Sequence, residues 1–132
     1  MDNSENYIKM CEKSAEIQDA YAGQCNSWFA LKKRNGVYVV LTEQTISQCV
    51  LPCTIIWLPR QDQLQEMVED NDYWEIRRYP VSGRLDNEFP YELIIYSDSV
   101  ETIRCATMEQ LWLAFIMHEL YGKRWNGTDW VS

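Results

Sequence analysis

The sequence predicts an α+β fold: a small antiparallel β-sheet with an N-terminal helix, a short middle helix and a C-terminal helix packed on it. Three observations lead there. Apolar residues recur at helical spacing near both ends of the chain, an Asn-Gly pair separates two β-rich runs, and a third β-rich run is cut short by proline. The 132 residues fall near the commonest domain size, so residues 1–132 are read as a single domain.

The first helix is expected over residues 4–21. Tyr7, Met10, Cys11, Ala15, Ile17 and Tyr21 follow helical spacing, Asn3 or Ser4 can cap the start, and Gly23 stands beyond the end. A hairpin comes next. Trp28-Phe29-Ala30-Leu31 and Val37-Tyr38-Val39-Val40-Leu41 flank Lys33-Arg34-Asn35-Gly36, a turn sequence that supplies the left-handed backbone such hairpins need. Thr54-Ile55-Ile56-Trp57-Leu58 reads as a third strand, halted by Pro59, whose fixed φ suits a helix start better than a continuing strand.

Residues 60–70 read as a short helix burying Leu64, Met67 and Val68. Residues 71–90, with Pro80, Gly83 and Pro90, have the composition of turns and suit a loop or short strands. Tyr91 to Tyr96 is β-like, and residues 97–103 suit a turn leading into a further short strand or helical turn. Thr107 and Gln110 match a capping box. The run that follows, with Leu111, Trp112, Ala114, Phe115, Ile116 and Leu120, is apolar over most of a helix circumference and ends at Gly122. Asn126-Gly127 between Trp125 and Trp130 reads as a tight turn that lets the two indoles meet.

Composition narrows the function. Hydrophobic residues make up 46% and charged residues 24%, which is the balance of a chain that folds. A net charge of −8 repels a phosphate backbone, so direct nucleic-acid binding is not expected; ordered carboxylates imitating a nucleic acid in a partner's basic groove are a variant worth keeping. Five cysteines, an odd number at irregular spacing, point to free thiols in a reducing compartment, and nothing resembles a leader or a membrane span, so the cytosol is the expected location. The six tryptophans and eight tyrosines either fill the core and its rim or leave rings on a binding surface.

Catalytic signatures are sparse. His118 is the only histidine and lies on an apolar helix, Cys49 and Cys53 do not form a zinc spacing, and each glycine stands alone at a turn, so no phosphate loop, metal or cofactor is expected. The chain is read as more suited to binding than to catalysis. Its most suggestive stretch is residues 55–67, where Trp57, Arg60, Gln61, Asp62 and Gln63 meet at a strand-to-helix junction, a place where helix N–H groups and a fixed guanidinium favour an anion. The other reading of Arg60 is a salt bridge to its own helix.

The segments YIKMCEKSAEIQ (7–18), IWLPRQDQLQEMV (56–68) and MEQLWLAFIMHELYGKRWNGTDWV (108–131), a little over a third of the chain, resemble a family of small uncharacterised phage and prophage proteins of Gram-positive bacteria. Residues 19–54 and 78–91 depart from that pattern. The resemblance implies a phage context and marks Trp57, Arg60, Gln61, Asp62, Gln63 and Trp125 as shared positions. Two kinds of partner fit these readings: a host or phage protein, bound for example to blunt a host defence, or a small anionic ligand such as a nucleotide. An enzyme of unrecognised type ranks behind both.

Overall fold

A computed structural model describes residues 1–23, 26–42, 54–68, 74–78, 89–96 and 99–132. The fold is α+β with antiparallel sheets. By their contacts the residues divide into two compact units, Met1–Arg60 with Trp125–Val131 and Gln61–Arg124 with Ser132. Among the described residues the strands form one three-stranded sheet in each unit and a two-stranded ribbon. No helix among the described residues is long and apolar enough to cross a membrane.

In the first unit, helix α1 (Glu5–Lys13) starts at Ser4, whose Oγ accepts from the Tyr7 amide at 3.3 Å. The expected continuous helix over residues 4–21 is instead broken at Ser14, and α2 (Ala15–Asp19) restarts beyond it. The cause is local competition for one carbonyl. The Cys11 oxygen accepts from the Ser14 hydroxyl at 2.9 Å, from the Ser14 amide at 3.2 Å and from the Gln18 side-chain amide at 3.1 Å, which displaces the bond an unbroken helix would form there.

Strands β1 (Trp28–Lys32), β2 (Tyr38–Thr42) and β3 (Thr54–Leu58) form a sheet of order β2-β1-β3, antiparallel throughout. The predicted hairpin is present. Gly36, at φ 82°, supplies the left-handed residue that closes the turn, and the Lys33 amide bonds the Val37 carbonyl at 2.9 Å. Proline ends β3 as expected. Ala30, Ile56, Trp57 and Leu58 are buried together with Tyr7, Met10, Cys11 and Ile17 of the helices. A ribbon, β7 (Arg124–Trp125) and β8 (Trp130–Val131), brings the Trp125 and Trp130 rings to 5.1 Å, and the Trp130 indole donates to the Met10 carbonyl at 3.0 Å.

The second unit opens with α3 (Gln61–Gln65), shorter than the expected helix over 60–70. Leu64 is buried as expected, but Met67 and Val68 lie in the turn after it and are only half-buried; residues 69–70 lie outside the described residues. Strands β4 (Trp74–Arg78), β5 (Tyr91–Tyr96) and β6 (Val100–Cys105) pair in that order. β4 is one of the short strands allowed for in the stretch 71–90, of which residues 71–73 and 79–88 fall outside the description.

Helix α4 (Met108–Tyr121) is capped by Thr107, whose side chain accepts from the Gln110 amide at 3.3 Å, and it ends at left-handed Gly122. Every residue from Gln110 to Met117 is buried, as a helix apolar on all sides requires. Trp112 and Phe115 pack on Trp74 with ring centres 5.2 and 5.8 Å away. Phe115→Ala should therefore cost about 3–5 kcal/mol in chemical denaturation. A loss below about 1 kcal/mol would mean that α4 is peripheral to the core.

Candidate functional site

The residues singled out at the strand-to-helix junction are divided between the two units: Trp57 and Arg60 in the first, Gln61, Asp62 and Gln63 in the second. Trp57 is a core residue, 2% exposed, and not an open platform for a ligand. Register explains this, because β1 places Phe29 directly opposite Trp57 and Tyr21 covers both rings, at 5.4 Å from Phe29 and 5.2 Å from Trp57. The indole N–H of Trp57 is buried with no hydrogen-bond partner.

Arg60 is half-buried and donates from Nη1 to the main-chain carbonyl of Asn26, a residue held in the left-handed region at φ 57°. The guanidinium thus anchors a loop of its own unit. In α3, Asp62 is exposed, Gln61 half-buried and Gln63 buried. α3 is barely more than one turn, so few peptide dipoles align there, and the helix-terminus argument for an anion loses most of its force.

Two polar clusters that the sequence reading did not single out are built inside the units. In the second, Glu101 of β6 accepts at one oxygen from His118 Nε2 at 2.5 Å and at the other from Arg124 at 2.7 Å. Strand alternation carries Glu101 on the same face as Ile103 and buried Cys105, and an acid among such residues is the signal in the sequence that points here. A Glu-His pair is half of a general-base device. Here the other ring nitrogen, Nδ1, is shielded from solvent; it lies 3.5 Å from a Glu119 oxygen but makes no hydrogen bond. The cluster ties β6 to the end of α4.

In the first unit Glu12 of α1 accepts from Lys32 at 2.8 Å and from the Tyr38 hydroxyl at 2.8 Å, joining the helix to β1 and β2. Burial alone pushes the Glu12 carboxyl up, but the bonds from Lys32 and Tyr38 and the lysine charge outweigh it and hold the group below its ordinary value. Lys32 is pushed up, first by its hydrogen bond to Glu12 and then by the charge of that carboxylate.

The thiols in view are protected. Burial pushes Cys11 well above the ordinary range and Cys105 up to about 12, which leaves neither as a thiolate near neutrality. Both are free, and Cys25, Cys49 and Cys53 lie outside the described residues. Among the described residues no three His, Cys, Asp or Glu side chains gather as a metal set. Comparison with protein-family models, with curated proteins and with solved structures finds no match.

The sign of the Glu12 linkage is fixed by its lowered value. Its stabilisation is present above the ordinary glutamate range and lost as pH falls through the folded value, while that of raised Lys32 is lost only as pH rises through the lysine range. Between about pH 7 and pH 3 the wild type should lose more stability than Glu12→Gln, so the two curves converge on acidification. Melting curves that stay parallel across this range would show that the cluster is not coupled to folding.

Proposed function

We propose that this chain is a non-enzymatic accessory protein of a phage or prophage that acts by binding another protein in the host cytosol, countering a host defence by occupying its target. The observation that carries the reading is a pair of apolar side chains exposed on paired strands of the second unit's sheet. Tyr96 of β5 and Val100 of β6 stand directly opposite one another and are 44% and 66% exposed. Cross-strand neighbours of this kind are preorganised, so a partner that covers them orders little new structure on binding. The Tyr96 hydroxyl is itself fixed, donating to Glu75 at 2.9 Å, which leaves the ring as an apolar surface with a polar rim.

Further support is chemical. Among the described residues, the thiols of Cys11 and Cys105 are buried, His118 is held by Glu101, and Arg60 donates to a backbone carbonyl. The phage context rests on the three segments quoted above. A small anionic ligand at Arg60 is the competing reading, and the two separate cleanly in one comparison. Immobilised wild type should retain a discrete protein from a lysate of Gram-positive cells, and Val100→Asp, with its melting temperature unchanged, should lose it. Equal capture by both proteins would move the surface elsewhere. A melting point raised by nucleotide in the wild type but not in Arg60→Ala would favour the ligand reading.

A further inference from the structure

The two edges of the first unit's sheet are treated differently. Hydrogen-bonded and non-bonded pairs alternate along an antiparallel ladder. The bond from Lys33 to the Val37 carbonyl sets the phase, so Leu31 with Val39 and Phe29 with Leu41 exchange bonds, and the backbones of Tyr38 and Val40 turn away from β1. By the same count the backbone of Trp57 turns outward from β3. That edge is closed. The Gln18 side-chain amide accepts from the Trp57 N–H at 2.8 Å and donates to the Trp57 carbonyl at 3.0 Å, as a neighbouring strand would, and the Tyr7 hydroxyl donates to the Pro59 carbonyl at 2.6 Å.

β2 has no such cover: the outward N–H and C=O of Tyr38 and Val40 have no hydrogen-bond partner among the described residues. Its sequence, Tyr38-Val39-Val40-Leu41-Thr42, contains no charge, proline or glycine, and Tyr38 to Leu41 are half-buried. Edge strands are ordinarily protected by charges, and the second unit follows that rule, with Glu75, Arg77 and Arg78 on β4 and Glu101 and Arg104 on β6. Among the described residues, β2 is thus an open, uncharged, β-branched edge where β3, β4 and β6 are covered or charged, and such an edge is a template for another strand.

We propose that β2 is a dimerisation strand: a second copy of this chain adds its own β2 antiparallel, centred on Val40, to make one continuous sheet across the two copies. The second copy is favoured because the strand is self-complementary. A two-fold axis at Val40 sets the outward N–H and C=O of one Val40 against those of the other and sets no charge against another. The net charge of −8 on each copy opposes this at long range, so screening by salt strengthens the dimer.

Sedimentation of the full chain over a concentration series tests the proposal, with Val40→Pro as the variant. Proline removes only the outward-facing N–H and leaves the β1 ladder whole, as on natural edge strands. The expected result is a wild-type dimer that tightens with salt and that Val40→Pro weakens by about tenfold or more, with an unchanged monomer melting point. Hydrogen exchange of the wild type gives a second reading that needs no variant: the Tyr38 and Val40 amides should exchange more slowly as the dimer forms. A chain monomeric at every concentration, a dimer indifferent to Val40→Pro, or a dimer whose Val40 amide exchanges as in the monomer would each overturn the proposal. So would protection of Val40 only when a foreign protein binds.

Discussion

One side-chain amide closes the outer edge of β3 in the first unit. Gln18 reaches from α2 to both backbone groups of Trp57 and to the Cys11 carbonyl. A backbone N–H or C=O buried without a partner costs about 1–3 kcal/mol, so this amide decides whether β3 can lie buried at the margin of its sheet. The break at Ser14 follows from the same contact. With α1 ended and α2 restarted, Gln18 meets Trp57 while Tyr7, one element earlier, meets the carbonyl of Pro59.

The second unit solves a similar problem with bulk. α4 is apolar on all sides and needs cover all round; Trp74 from the sheet and Leu64 from α3 are part of what it is buried with, and Glu101 ties its last turn to β6 through His118. Two indole nitrogens in this cluster, of Trp74 and Trp112, are buried without a hydrogen bond. At 5.2 Å and 82° the rings meet edge to face, a geometry in which an N–H can point at a π face and recover part of that cost.

What could be read in the sequence was what short-range chemistry decides. The Asn35-Gly36 hairpin, the Thr107 cap, the Gly122 stop and the Trp125–Trp130 contact each depend on residues a few positions apart, and each is present. The break at Ser14 was hidden because its neighbours keep helical spacing and the competing donor, Gln18, is fixed by a strand distant in sequence. The burial of Trp57 was hidden for a related reason. An unbroken apolar run such as Ile55-Ile56-Trp57-Leu58 has no alternation to say which face is covered, and only the register with Phe29 and the approach of Tyr21 settle it. The clusters at Glu12 and Glu101 were not legible because the bases that engage these acids lie on other elements.

Gln18 substitutes for a missing strand, and Gln18→Met tests this most directly, since methionine keeps the length and apolar stem but can neither donate nor accept at its end as the amide does. Urea denaturation should show a loss of about 2–4 kcal/mol with the slope unchanged, the cost of leaving the Trp57 N–H and C=O unpaired. A loss below about 0.5 kcal/mol would contradict the account, because it would mean that the edge of β3 is satisfied without the amide.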